Sequence, residues 1–137
     1  MRLVLLCVTL ALTSACDSSG PLDTVDSGVD DGIEVQVDRT EYAVGEEVRL
    51  SLVNESDRQV VLSMPLACAA RLERRSGPSW VAANLPIGCA AVLTPVEAKT
   101  TESVVLTLED VQPGTYRFNV SILETSQRAY SPSFGVR

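Results

Sequence analysis

The sequence contains no histidine among its 137 residues, and this removes the commonest general base and the commonest metal ligand of proteins. Aromatic residues make up only 4% of the chain. Basic residues are also few, since 11 Lys and Arg stand against 18 Asp and Glu, for a formal net charge of -7. A protein that binds nucleic acid needs a positive footprint, so this balance argues against a nucleic-acid partner.

Signatures of catalysis are missing as well. Neither G-x-S-x-G nor S-x-x-K occurs, and there is no glycine-rich phosphate loop. The adjacent acids Glu46–Glu47 and Glu109–Asp110 fall at expected strand boundaries. Neighbouring residues of a strand point to opposite faces, so these pairs do not converge as glycosidase carboxylates must. The sequence therefore predicts a protein that is not an enzyme and that holds no cofactor or metal.

No apolar run in the sequence is long enough to cross a membrane. The apolar run nearest the start of the chain, residues 3–12, is interrupted only by Thr9. As a helix it would rise about 15 Å, half of a ~30 Å hydrocarbon core. It follows the positive charge of Arg2 and ends in small residues. This arrangement is typical of a signal peptide rather than of a permanent membrane span.

The residues after that run, Leu12-Thr13-Ser14-Ala15-Cys16, resemble the bacterial lipobox, with Thr13 where leucine is usual. In lipobox proteins the chain is cut before the cysteine, which is diacylated. The resemblance thus implies a signal peptide over residues 1–15 and a lipid anchor on Cys16 in the bacterial cell envelope, outside the cytoplasm. An ordinary signal peptide cut at the same bond is the alternative. Asp17 resembles an enterobacterial inner-membrane retention signal, but this rule varies between bacteria, so the choice of membrane stays open.

The remaining cysteines form one pair. Cys7 leaves with the signal peptide, and lipid on Cys16 leaves Cys68 and Cys89 in an oxidising compartment. A disulfide between them would close a loop of 20 intervening residues and contribute about 3 kcal/mol. The alternative is a pair of free or reactive thiols. Two thiols without histidine make a poor zinc site.

Residues 16–32 are expected to form a flexible acidic tether after the lipidated cysteine. Residues 17–32 include five Asp and no basic residue, so they cannot bury enough apolar surface to order themselves. As a flexible coil they would reach about 22 Å. A calcium loop is the alternative reading of the clustered acids, although their spacing does not match an EF-hand.

From Ile33 onward the sequence alternates between apolar and polar residues, as half-buried strands do. The runs are centred on residues 33–37, 48–53, 60–64, 72–80, 104–108, 116–122 and 134–136. No window holds a helical period over twelve residues. The pattern predicts an all-β domain over residues 33–137, with about seven or eight strands in an antiparallel sandwich.

Three segments resemble bacterial immunoglobulin-like domains: YAVGEEVRLSLVN at residues 42–54, LERRSGPSW at 72–80 and PGTYRF at 113–118. The resemblance covers residues 33–137. It implies an immunoglobulin-like sandwich in which Tyr116 caps a corner and residues 72–80 form a hairpin. The layout is also similar to the intracellular proteinase inhibitor family of bacilli, so inhibition is an alternative function.

The candidate binding surface consists of Trp80, Arg74 and Arg75. Trp80 either packs against the disulfide, as in immunoglobulin domains, or is an exposed anchor for a ligand. Arg71, Arg74 and Arg75 are the only basic cluster, which either contacts an anionic partner or forms a solvated hairpin face. Residues 65–72 and 86–93 have similar sequences around the two cysteines. They are either two symmetric loops that together form a binding surface or two segments that lead into strands in a similar way. We expect a non-catalytic role, binding an envelope protein or polymer, with the oligomeric state open.

Overall fold

A computed structural model of the chain describes residues 32–123, 125 and 127–137. The predicted signal peptide, the predicted lipid anchor on Cys16 and the predicted tether, up to residue 31, lie outside these residues. Among the residues that the structure describes, no helix has the length and apolar character needed to cross a membrane.

The described part of the chain is almost entirely β-strand. It contains one short helix, α1 (Leu66–Ala69), and eleven strands: β1 (Ile33–Val37), β2 (Glu41–Tyr42), β3 (Glu47–Asn54), β4 (Val60–Leu62), β5 (Ala70–Ser76), β6 (Ser79–Ala83), β7 (Thr94–Val96), β8 (Thr100–Thr107), β9 (Gly114–Ser121), β10 (Arg128–Tyr130) and β11 (Phe134–Val136). The prediction of an all-β domain is confirmed for these residues.

The strands form three sheets. One has the order β1-β3-β8, the second has the order β2-β11-β9-β5-β6 with β10 also paired to β9, and the third pairs β4 with β7. The pairing of β2 with β11 is parallel, and the other pairings are antiparallel. On β9, therefore, β5 lies on one side, while β10 and β11 share the other.

Alternation within the strands builds one hydrophobic core. Val48, Leu50 and Leu52 of β3 are fully buried, while Glu47 before them and Arg49 between them are exposed. Residues from all three sheets belong to the same buried cluster. The ring of Phe134 lies at its centre, with ring centroids 5.3 to 6.2 Å from three other buried aromatic rings, those of Tyr42, Tyr116 and Phe118.

The structure has more strands than the seven or eight that the pattern predicted. The additional ones, β2, β7 and β10, contain two or three residues each and lack apolar residues at every second position. Helix α1 was not predicted either. It follows Pro65, and its Leu66 and Ala69, three residues apart, both face the core.

Two tight turns position the later strands. Ser76 pairs with Ser79 across the turn Gly77-Pro78, and Gly77 has φ +56°, which suits the first central position of a type II′ hairpin turn. The buried Tyr116 donates its hydroxyl to the carbonyl of Gln112 at 2.6 Å, which closes the turn before β9. The hairpin presents β5 and β6 side by side, next to β9.

Candidate binding surfaces

The outer face of the six-stranded sheet is the first candidate surface. Leu72 of β5 is buried in the core, so its neighbours Arg71 and Glu73 point away from the core. Arg75 shares their side and pairs with Trp80, while Arg117 pairs with Glu73. We call this surface the arginine face and define it by six residues: Arg71, Glu73, Arg75, Trp80, Arg117 and Tyr130.

An aromatic stack occupies the centre of the arginine face. The guanidinium carbon of Arg117 lies 4.4 Å from the centre of the Trp80 ring and 4.1 Å from that of Tyr130. Arg75 approaches the Trp80 ring at 5.3 Å. These are cation–π distances, so side chains from β5, β6, β9 and β10 hold one another in place.

Glu73 holds Arg117 of this stack in place through hydrogen bonds. Its Oε2 accepts a hydrogen bond from Nε of Arg117 at 2.8 Å, and its Oε1 accepts one from Nδ2 of Asn119 at 3.0 Å. The Glu73 and Arg117 side chains are only 16% and 18% exposed. Asn119 is buried, and its Oδ1 has no hydrogen-bond partner among the described residues. Both oxygens of the one acid on this face are thus already engaged.

The structure brings two of the three predicted binding residues together. Trp80 is half-buried and contacts arginines on the arginine face instead of joining the core. Arg74 falls on the other side of β5, where it pairs with Tyr116 and donates from Nη2 to the carbonyl of Pro113 at 3.0 Å. Glu73, Arg117 and Tyr130 were not predicted as members of this surface; Arg117 and Tyr130 join the hairpin only through long-range strand pairing. The polar Arg117 between two apolar strand residues was the available signal.

Charge is distributed unevenly between the sheets. The six strands of the second sheet (β2, β5, β6, β9, β10 and β11) carry five Arg and two Glu, a sum of +3. Strands β1, β3 and β8 carry three Glu and one Arg, a sum of -2. The arginine face itself holds three Arg and one Glu, a sum of +2, so it is a basic region on a chain whose net charge is -7.

The second candidate surface is the irregular segment 84–93 between β6 and β7. The predicted disulfide is confirmed: Cys68 of α1 is bonded to Cys89 in this segment, with the two Cα atoms 5.7 Å apart. Beside it is an open hollow of about 270 Å³, lined by both cysteines and by apolar residues that include Leu85 and Ile87. We call residues 84–93 the braced loop. No residue from 76 to 96 is charged.

The similar sequences around the two cysteines adopt different structures. In residues 65–72, the apolar residues Leu66, Ala69 and Leu72 are buried in α1 and β5. In residues 86–93, Ala90 and Ala91 are exposed, and Val92 and Leu93 are 56% and 63% exposed. Apart from Ile87, which is partly buried against the core, the apolar residues of the second segment are thus exposed.

A cluster of charged residues at the turn between β1 and β3 has a structural role. Asp38 Oδ1 accepts hydrogen bonds from the Tyr42 hydroxyl and from the backbone N–H of Arg49, both at 2.8 Å. Burial acts to raise the pKa of Asp38, but these hydrogen bonds hold it below its usual value. Burial, together with the hydrogen bond to Asp38, raises the pKa of Tyr42 to about 12. The described residues contain no group of three His, Cys, Asp or Glu that could hold a metal ion.

No family model matches the chain, and no curated protein matches it. A solved structure that is similar to it is the alkylpurine DNA glycosylase AlkC of Pseudomonas fluorescens, bound to DNA containing an abasic site analogue. The identity is 13%, the TM-score is 0.48, and the match covers 81% of this chain and 32% of that one. This chain therefore spans about a third of the length of that protein. A likeness of this degree says nothing about the function of the chain described here.

Proposed function

We propose that the chain is a lipid-anchored, extracytoplasmic protein of the bacterial cell envelope that binds a partner and catalyses no reaction. The observation that carries the binding role is the braced loop, where Val92 and Leu93 stand exposed beside the Cys68–Cys89 disulfide. Its anchor is lipid on Cys16, and residues 17–31 link that cysteine to the folded domain.

The disulfide and the lipobox resemblance support export. Disulfides form and persist in oxidising compartments outside the cytoplasm. Each buried CH₂ of a lipid contributes about 0.8 kcal/mol, so two or three acyl chains on Cys16 would hold the protein stably. Treating cells with globomycin, which blocks lipoprotein signal peptidase, should leave the precursor uncut. Unchanged maturation would contradict the lipid anchor.

Two features support an immunoglobulin-like sandwich for residues 33–137. The N-terminal segment of the domain contributes one strand to each of two sheets, since β1 pairs with β3 while β2 pairs with β11. The hydrogen bond from Tyr116 back to Gln112 is similar to the tyrosine corner of immunoglobulin domains. The disulfide departs from that pattern, since it joins α1 to the braced loop and does not link strands of the two sheets.

The braced loop has the properties of a contact site. Val92 and Leu93 are adjacent and exposed, and contiguous exposed apolar surface is a feature of interaction sites. The absence of charge from residues 76–96 matches the centre of protein interfaces, where charged residues are depleted. The disulfide restrains the loop before binding, which lowers the entropy cost of association.

Partner capture from envelope extract tests the binding role. The lipidated chain is the bait, and a Val92→Ser/Leu93→Ser variant is compared with Val105→Ser/Leu123→Ser, which changes side chains that are 45% and 50% exposed elsewhere. We expect the loop variant to lose at least nine-tenths of the captured partner and the control to keep it. Equal losses would show that the loop is not the contact site.

Proteinase inhibition is the second candidate function, and the same loop supports it. Within residues 84–93 the only backbone hydrogen bonds run from Ile87 to Leu85 and from Val92 to Ala90, so an extended loop backbone is open to a protease cleft. Titrating serine, cysteine and metalloproteases with stoichiometric protein tests this function. Slowing that disappears in the Val92→Ser/Leu93→Ser variant would support it, and full protease activity throughout would remove it.

A further inference from the structure

We propose that the arginine face binds an extended acidic segment of another protein, with acidic side chains spaced four residues apart. Arg71 of this face also borders the hollow beside the braced loop, but the inference rests on contacts of the sheet alone. It holds whether or not the braced loop binds a partner.

The centre of the face is rigid before any ligand arrives. Arg117 is enclosed between the rings of Trp80 and Tyr130 and is paired with Glu73. Side chains already fixed in one arrangement lose little conformational entropy on binding. Trp, Tyr and Arg are also the residues that most often dominate binding energy in protein interfaces.

Two arginines flank this centre and are open to a ligand. Arg71 and Arg75 are exposed, and neither forms an ion pair with a described residue. Arg75 uses Nε to donate to the carbonyl of Gly77 at 2.8 Å, and its terminal nitrogens make no hydrogen bond within the described part of the chain. Glu73 lies between the two arginines but is occupied by Arg117 and Asn119, so it does not neutralise them.

The spacing of these arginines specifies the ligand. Arg71 and Arg75 are four residues apart on one strand, which places their Cα atoms about 13 Å apart at a rise of about 3.3 Å per residue. An extended peptide running along β5 has the same repeat. Acids at positions i and i+4 would meet the two guanidinium groups, and residue i+2 would lie over the central stack. A charge-assisted pair with a carboxylate is roughly twice as strong as a neutral hydrogen bond.

Overall attraction between opposite net charges cannot produce this binding. The chain has a net charge of -7, so on average it repels an acidic ligand. At physiological ionic strength that repulsion is screened beyond about 8 Å, and the nearby arginines decide the contact. A membrane surface presents anionic headgroups without a fixed spacing. Binding that depends on the spacing of two acids therefore distinguishes a peptide ligand from a membrane.

Two synthetic peptides of equal composition test the proposal on the lipidated chain in detergent. One is Ser-Ser-Glu-Thr-Tyr-Thr-Glu-Ser-Ser, with the acids four apart, and the other is Ser-Ser-Glu-Glu-Tyr-Thr-Thr-Ser-Ser. Binding is followed through the fluorescence of Trp80, the only tryptophan in the chain. We expect the spaced peptide to bind at least fivefold more tightly than its isomer.

Arginine variants locate the binding. Arg71→Ser/Arg75→Ser should weaken the spaced peptide at least tenfold, with affinity measured by anisotropy of a labelled peptide. The matched control, Arg49→Ser/Arg58→Ser, removes two other exposed arginines that form no ion pair with a described residue, and it should change affinity less than twofold.

Three outcomes would overturn the proposal. The first is equal affinity for both peptides, or equal losses in both double variants. The second is binding of phosphatidylglycerol vesicles by the domain that depends on Arg71 and Arg75 as strongly as peptide binding does. The third is tight peptide binding that appears only after residues 17–31 are deleted, because the occupant would then be the acidic segment of this chain.

Discussion

Asn54 is a polar side chain buried completely at the end of β3, and every polar atom of its amide is engaged. Its Nδ2 donates to the carbonyls of Arg58, Val96 and Glu97 at 2.9, 3.1 and 3.0 Å. Its Oδ1 accepts from the backbone N–H of Ser56 at 3.1 Å and from the Ser56 hydroxyl at 2.6 Å. One side chain therefore ties the turn after β3 to the end of β7.

Replacing Asn54 with leucine should be among the most destabilising changes in the domain. The substitution keeps the branched shape of the side chain but is larger and leaves the three carbonyl groups without this donor, which costs about 2–4 kcal/mol of unfolding free energy. Urea unfolding measures the loss. Ser51→Ala removes only the exposed 2.9 Å contact with Ser103 and serves as the control, with an expected change below about 0.5 kcal/mol. Similar midpoints for the two variants would contradict the role assigned to Asn54.

The ion pairs differ in strength because they differ in exposure. Glu73 and Arg117 are joined at 2.8 Å with both side chains less than a fifth exposed. Lys99 and Asp57 are joined at 2.9 Å, but their side chains are 61% and 96% exposed. Water and salt screen the second pair far more than the first.

Double-mutant cycles should separate these two pairs. Glu73→Gln with Arg117→Met should give a coupling of about 1–3 kcal/mol, since the methionine keeps an apolar stem between the rings but cannot donate to the carboxylate. Lys99→Met with Asp57→Asn should give a few tenths of a kcal/mol, about the value of exposed pairs. The Arg117 change should also alter Trp80 fluorescence. Equal couplings would mean that the arginine face is not fixed as described.

The strands that the sequence predicted are those with apolar residues at every second position. In β3 every second residue is buried over eight residues, and all eight pair with β8. The hairpin over residues 72–80, which the resemblance to immunoglobulin-like domains implied, is also present, with its turn at Gly77-Pro78. By contrast, β10 has three residues, and only its pairing with β9 brings Tyr130 to Arg117. Such long-range register is set by the whole core, so no local pattern encodes it.

The turn between β1 and β3 should make the domain sensitive to acid. The hydrogen bond from the Ala43 N–H, then the one from Arg39, lower the pKa of Glu46, and the pKa of Asp38 is lowered as well. A lowered folded-state pKa contributes stability that is present above the unfolded values of 4.5 and 3.8 and is lost as pH falls through the lower folded values. Unfolding free energy should therefore fall as pH drops below about 4.5.

Asp38→Asn/Glu46→Gln should flatten this pH dependence, as measured by urea midpoints from pH 6 to about 2.5. Glu102→Gln is the control, because the Glu102 carboxylate makes no hydrogen bond or ion pair with a described residue. An acid slope as steep in the double variant as in the parent would show that other carboxylates cause the loss.

The disulfide should stabilise both the domain and the braced loop. Cys68→Ser/Cys89→Ser removes a cross-link over 21 positions, and chain-entropy arithmetic predicts a loss of about 3 kcal/mol. The freed loop should also be cut by proteases within residues 84–93, which mass spectrometry of the fragments would locate. Unchanged stability together with an uncut loop would mean that packing of Leu85 and Ile87 holds the loop without the disulfide.

Gly32, the first residue that the structure describes, has a backbone held by the folded domain. Its carbonyl accepts a hydrogen bond from the N–H of Glu55 at 2.7 Å, and it has φ +89°. A Cβ at this position would lie 3.0 Å from the backbone nitrogen of Ser56, so only glycine fits without adjustment. The next residue, Ile33, is 2% exposed and already belongs to the core.

N-terminal truncation should therefore leave the unfolding free energy unchanged as far as Gly32 and lower it steeply beyond that residue. A chain that starts at Gly32 should keep the unfolding free energy of the chain that starts at residue 17, within about 0.5 kcal/mol. A chain that starts at Asp38 loses β1 and its buried Ile33 and Val35, which costs about 3–6 kcal/mol at roughly 1.5–3 kcal/mol per side chain. That is a large share of the 5–15 kcal/mol typical of domains. Urea unfolding of the three chains compares them directly. A clear loss on removing residues 17–31 alone would make the acidic segment part of the folded unit.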